Sequence, residues 1–236
     1  MCDNTSIIRY ADDVTFIHLL RSPVDDGLQL EWNNLVEWSQ STHLPLNFSK
    51  CKVMNIVTKK DCTLNPIQSH SGELLQEVDN LTFLGVIFSS NLKWNAHFQN
   101  VICRASKRLF VIRNLRRAGC DQQTMLRAYT AFLRPILLYG FPCVCNAPLY
   151  LQNRLSVFER RVSRIIGGAI HPTILDIADT TCVRLMEAVC ECPNHLLSTI
   201  PLRNEGRMTR HSTSVRAPLA RTKRFSFSFI RYISII

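Results

Sequence analysis

The sequence predicts an α+β chain, with short antiparallel strands and one helix in front, a helical bundle behind them, and a basic closing segment. Three observations predict it. Short runs of β-branched and aromatic residues crowd the first 94 positions, apolar residues recur at helical spacing from 97 onward, and charge divides the chain. Residues 1–100 carry 7 Lys and Arg against 11 Asp and Glu, net −4, whereas residues 101–236 carry 21 against 7, net +14. The basic part either meets a polyanion or serves solubility. With 236 residues, 46% of them hydrophobic, the chain forms one sizeable domain or two small ones, which excludes a disordered polypeptide. No basic leader opens it and no apolar run approaches the roughly 18 residues of a membrane span, so we expect an intracellular protein, in cytoplasm or nucleus, with no membrane partner. Ten scattered cysteines, none spaced C-x2-C, fit reduced thiols.

The first element is a hairpin. Ser6–Tyr10 and Val14–His18 are strand-forming runs, and Ala-Asp-Asp between them suits a tight reversal. Asp12 and Asp13 at its tip admit two readings. They are turn residues, since Asp caps its own backbone in turns, or they hold a divalent cation, which removes the mutual repulsion of adjacent carboxylates.

Residues 25–44 read as an amphipathic helix with Leu28, Leu30, Trp32, Leu35, Val36 and Trp38 on its apolar face, Asp25 and Asp26 at its start and Pro45 ending it. Residues 46–57 give a turn and a second strand-like run, Val53–Val57, and 58–80 are polar and loop-like. Residues 81–94 return to strand character, with Ser89, Ser90 and Asn91 as the turn and Leu92–Trp94 as a short return strand.

A helix over 97–117 buries Phe98, Val101, Ile102, Ala105, Leu109, Ile112 and Leu115 and leaves Arg104, Lys107, Arg108 and Arg116 elsewhere on the cylinder. Gly119 closes it. Asp121 caps a second helix, Gln122 to about Tyr139, interrupted by Pro135; a third spans 151–168 with Leu151, Leu155, Phe158, Val162 and Ile165 as its seam. Arg154, Arg160, Arg161 and Arg164 face solvent or phosphates. From His171 regularity fades into a basic arm rich in aromatics and serine. Cys182, Cys190, Cys192 and His195 are candidate zinc ligands, but C-x7-C-x-C-x2-H matches no common knuckle, and buried free cysteines account for them more simply.

The order of these elements resembles the C-terminal half of the reverse transcriptase of non-LTR (LINE-type) retrotransposons. Tyr10-Ala11-Asp12-Asp13 is similar to the family's Y-A-D-D palm motif, and Asn47-x-x-Lys50 to its N-x-x-K turn. Phe83-Leu84-Gly85-Val86, followed by Leu92-Lys93-Trp94 and His97, resembles its primer-grip hairpin and thumb entry. Residues 129–140 and 158–168 resemble its thumb and post-thumb helices, and 210–230 its basic closing segment. The fold implied is a partial polymerase palm over 1–94, an α-helical thumb over 95–170 and a basic tail over 171–236.

The resemblance implies RNA-directed DNA synthesis by two-metal nucleotidyl transfer, with Mg²⁺ as cofactor and an RNA template, a DNA primer and deoxynucleoside triphosphates as partners. It makes Asp12 and Asp13 metal ligands and Lys50 the proton donor to the departing pyrophosphate, Lys52 being close enough to be confused with it. Tyr10, Phe83, Leu84 and Gly85 would meet the primer. Arg104, Lys107, Arg108, Arg116, Arg160, Arg161 and Arg164 would track nucleic-acid phosphates. The family also needs a carboxylate on a strand upstream of Y-A-D-D and fingers before it, and here the chain begins nine residues before Tyr10. We therefore expect no polymerisation by this polypeptide alone, and an exposed sheet edge at Ser6–His18 with poor solubility. The competing expectation is a nucleic-acid-binding module without chemistry, using residues 101–236.

Overall fold

The computed structural model describes residues 5–20, 26–56, 65–69 and 72–192, and over these the protein is mixed α and β. It divides into two compact units, residues 1–81 with 89–92, and residues 82–88 with 93–236.

In the first unit, strands β1 (Thr5–Tyr10) and β2 (Asp13–His18) pair antiparallel from Thr5↔His18 to Tyr10↔Asp13. Among the described residues they pair only with each other, so each keeps an open outer edge, and Ile8 and Ile17 are exposed. Helix α1 (Gly27–Thr42) packs on the hairpin and buries Trp32 and Val36, with Leu28 and Leu35 half-buried. Leu30 and Trp38 fall off this face and are exposed, which corrects the broader apolar face expected from composition. Asp26 stands at the N-cap position without a side-chain cap bond. His43, left-handed at φ 57°, ends the helix by donating its N–H to Gln40 and Ser39 carbonyls.

The polar stretch after α1 is less loop-like than its composition suggests. Of the run expected at Val53–Val57 only Val53 is in a strand, β3 (Lys52–Val53); residues 54–56 are irregular and Val57 lies outside the described residues. Strand β3 pairs in parallel with β4 (Gln76–Glu77), so not every strand pair is antiparallel. Asn55 ties the pair together through the Glu77 carboxylate, 2.8 Å away. Strands β5 (Asn80–Phe83) and β6 (Val86–Ser89) form the second hairpin. Its turn is Leu84–Gly85. The chain does turn at Ser89–Asn91, where the Leu92 N–H donates to the Ser89 carbonyl at 2.7 Å and the Ser89 hydroxyl donates to Asn80 at 2.6 Å, but this turn ends β6 and no strand follows over Leu92–Trp94.

The second unit is a helical bundle with a continuous core. Helix α2 (Asn95–Arg117) buries Phe98, Val101, Ala105, Leu109 and Ile112, the i, i+3, i+4 rows of one face. Helix α3 (Gln122–Ala128) is capped by Asp121, whose carboxylate accepts from Thr124 N at 3.1 Å. It passes through a π turn, Tyr129–Leu133, into α4 (Arg134–Leu138). The expected break at Pro135 thus begins at Tyr129, and the widened turn delivers Pro135 into the first turn of a new helix, where a missing N–H costs least. After a short α5 (Phe141–Val144), α6 (Leu149–Ile166) buries Leu151, Leu155, Phe158, Val162 and Ile166, the last in place of Ile165.

Helix α7 (Ile174–Glu191) corrects the expectation that regularity fades from His171. Thr173 and Asp176 make a reciprocal capping box, and Ile174, Ala178, Cys182, Met186 and Val189 are buried in the core. Residues 193–236, including His195 and the closing basic segment, lie outside the described residues.

Candidate functional site

Tyr10 and Asp13 face each other across the last pair of the first hairpin, so its loop is two residues, Ala11 and Asp12. Ala11 is left-handed at φ 52°. A Cβ in that region costs about 1–2 kcal/mol, so the turn is held against local preference. The strain displays Tyr10, Asp12 and Asp13 together, all exposed, Tyr10 by 62%. Hard carboxylate oxygens suit Mg²⁺ in kind, and one or two carboxylates are what Mg²⁺ takes from a protein when substrate phosphates supply further oxygens. Among the described residues no group of three His, Cys, Asp or Glu comes together, so the hairpin offers these two donors and no closed cage.

Lys50 sits at the end of one 3₁₀ turn, Phe48–Lys50. Asn47 organises it. Its carbonyl accepts the Lys50 N–H at 3.0 Å and the Cys51 thiol at 3.3 Å, and its side-chain oxygen accepts the Ser49 hydroxyl at 2.7 Å. The N-x-x-K spacing is therefore the spacing of one turn. Phe48 anchors the turn against Trp32, ring centroids 6.0 Å apart at 71°, and leaves the Lys50 side chain exposed.

The second hairpin is built for position. Leu84 (φ 45°) and Gly85 (φ 81°) are both left-handed, the signature of a tight type I′ turn. The Tyr139 hydroxyl donates to the Leu84 carbonyl at 2.6 Å, and a Cβ on Gly85 would come within 2.9 Å of the Tyr139 ring. Gly140, left-handed at φ 67°, receives Val86; a Cβ there would stand 2.6 Å from Val86 Cγ2. One strand residue on, Ile87 N donates to His97 Nδ1 at 3.3 Å. Phe88 meets Trp94 edge-on at 5.4 Å, and Trp94 Nε1 donates to Asn146. His97 is buried, and burial first, then the charge of Arg104, hold its pKa below the ordinary 6.5 against the opposing backbone contact of Tyr139. Phe83 is half-buried against Phe88, while Leu84 and Gly85 are exposed at the tip.

The seven basic residues expected on the helices are all exposed. They do not form one surface. Helices α2 and α6 run parallel: Tyr150 donates to Asn95 at 2.5 Å and Arg154 to Gln99 at their starts, and Arg116 donates to the Ile166 carbonyl at 3.2 Å at their ends. Arg161 falls beside Arg154 on the side of α6 nearest α2, and Arg164 lies about 80° round from it toward solvent. Arg104 and Arg108 lie on the side of α2 away from α6, toward His97, and Arg160 is likewise turned away, by about 100° of rotation per residue. Arg116 is drawn out of the set by its bond to Ile166.

Sequence reasoning missed a buried carboxylate. Glu159 accepts the Tyr129 hydroxyl and the Ile174 N–H, each at 2.9 Å, so one side chain of α6 joins the π turn to the first N–H of α7. Burial, then the Glu159 charge, push the Tyr129 hydroxyl well above the ordinary tyrosine range, and the Arg134 guanidinium lies 5.0 Å over its ring. The signal was present: a lone Glu on the apolar side of α6, one residue after Phe158. Of the candidate zinc ligands, Cys182 is fully buried and Cys192 is exposed beyond the end of α7. No described helix is long and apolar enough to cross a membrane. Set against protein-family models, curated proteins and solved structures, the chain matches none of them.

Proposed function

We propose that the chain supplies the catalytic hairpin, the primer-grip hairpin and the thumb helices of an RNA-directed DNA polymerase of the non-LTR retrotransposon type. The single observation that carries this reading is the convergence on the second hairpin. Phe83-Leu84-Gly85-Val86, Trp94, His97 and Tyr139-Gly140 are separate in sequence, each belongs to a stretch that resembles that family, and all meet around one turn. A turn gripped this firmly suits a part that must hold a primer end in register.

Under this reading Asp12 and Asp13 hold Mg²⁺, which when bound neutralises charge on the attacking and leaving oxygens. Tyr10 lies against the primer terminus. The Lys50 ammonium gives its proton to the departing pyrophosphate, and the Leu84–Gly85 tip presses on the primer. The helices contact phosphates. A second reading, a binding module without chemistry, is favoured by the absence of a third metal ligand beside Asp12 and Asp13 among the described residues.

One experiment separates them. The full chain is incubated with Mg²⁺ and an RNA template annealed to a DNA primer whose 3′ nucleotide is photoreactive, and crosslinked peptides are mapped. Crosslinks at Tyr10 or at 83–86, reduced in Asp12→Ala, are expected. Crosslinks confined to the basic helices and unchanged in Asp12→Ala would reject the polymerase reading and leave the binding module.

A further inference from the structure

Along the seam where α2 and α6 run side by side, none of the exposed side chains is acidic. Helix α2 contains no carboxylate at all, and the one carboxylate of α6, Glu159, is buried on the core side. Counting round α2 from Gln99, which touches α6, brings Phe110, Arg113 and Arg117 to the same side. Counting round α6 from Arg154, which touches α2, brings Arg161 to within about 20° of it, with Val157 and Arg164 about 60° and 80° round on the solvent side. Phe110 is 57% exposed and Val157 54%. The starts of the helices are level, so Phe110, eleven residues beyond Gln99, stands beside the level of Arg164, ten residues beyond Arg154. An exposed aromatic ring thus shares this surface with four arginines that the helical count brings to the same side. Among the described residues, Arg113, Arg117, Arg161 and Arg164 make no hydrogen bond or ion pair.

We propose that this seam binds an unpaired RNA strand, with a base stacked on Phe110 and phosphates on Arg113, Arg117, Arg161 and Arg164. The inference rests on the nucleic-acid reading above, in which the template is RNA, and goes beyond it in naming the strand form and three residues outside the expected set. Charge selects a polyanion. A second copy of the chain would set like charges face to face. The exposed ring selects an unpaired strand, because a base buried in a duplex offers no free face for stacking, whereas stacking platforms between cations serve single strands. The same physics moves Arg104, Arg108 and Arg160 out of this contact.

The test is fluorescence anisotropy of a labelled oligouridine with the full chain over a salt series. Phe110→Ala is expected to weaken binding about tenfold. The pair Arg113→Gln/Arg117→Gln is expected to weaken it and flatten the salt dependence. The pair Arg104→Gln/Arg108→Gln, equal in charge removed, is expected to have the smaller effect. Far-UV circular dichroism and Trp94 emission check that each variant folds. Wild-type affinity in Phe110→Ala, or an equal or larger loss in the Arg104/Arg108 pair, would overturn the proposal. Binding of an RNA–DNA hybrid without binding of oligouridine would overturn it too while leaving the proposed function standing; binding of neither overturns both.

Discussion

The hairpin Thr5–His18 and the hairpin Asn80–Ser89 both turn on two residues, and both force a non-glycine residue into left-handed backbone, Ala11 in one and Leu84 in the other. Their surroundings differ. The second tip is pinned by the Tyr139 hydroxyl, by Val86 against Gly140 and by His97, whereas Ala11, Asp12 and Asp13 stand in solvent. The strain at Leu84 is balanced by contacts on the spot. Among the described residues Ala11 is held by the strand register, and the carboxylates beside it are exposed. One turn is held by packed neighbours, and the other is exposed.

Gly140→Ala strikes the pinned turn hardest. A Cβ at positive φ and 2.6 Å from Val86 costs about 3 kcal/mol, read as a loss of urea stability from Trp94 emission in a background lacking Trp32 and Trp38. Wild-type stability there would show that the clasp contributes nothing. Next comes Tyr129→Phe, which withdraws one of the two partners of buried Glu159 and should cost about 2 kcal/mol in the same assay.

The clasp should also respond to acid. Burial keeps His97 neutral to lower pH than in the unfolded chain, so its contribution is complete above 6.5 and declines as the pH falls below that value. Urea midpoints at pH 7 and pH 5 should differ for the wild type and differ less for His97→Gln. At the open turn the sign reverses: Ala11→Gly relieves the left-handed Cβ and should stabilise the first unit by about 1 kcal/mol, followed by Trp32 and Trp38 emission. The smallest effect belongs to Asp12→Asn, within about 0.5 kcal/mol of wild type because the side chain is exposed. A larger loss there would mean that Asp12 supports the turn rather than a ligand.

The same contrast explains what could be read from residues alone. The first hairpin was legible because short runs of strand-forming residues and an Ala-Asp-Asp reversal are local signals. In the second, composition points to the turn at Ser89-Ser90-Asn91, which forms, while the strand reversal at Leu84-Gly85 is weaker as a local signal and is supported by Tyr139, 55 residues away. Helix α7 escaped because Ala178 and Cys182 occupy its core positions and read as unremarkable beside larger apolar residues; Thr173-x-x-Asp176 was the signal to weigh. The basic residues were legible as charge, but their division between two sides of α2 depends on the parallel packing of α6, which no local pattern encodes.

That parallel packing has an electrical consequence. Peptide dipoles in side-by-side parallel helices add, so the C-terminal ends of α2 and α6 place two partial negative charges together. Arg116, Arg117 and Arg164 lie in the last turns there, and Arg116 reaches the Ile166 carbonyl directly. Each cation so placed offsets roughly 0.3–1 kcal/mol of that alignment. Part of the positive charge in this half of the chain therefore has its cause inside the fold and would persist if the surface met no ligand. Arg113 and Arg161, a turn further from the helix ends, have no such tie, and they are the cations for which the proposed strand contact would be the main account.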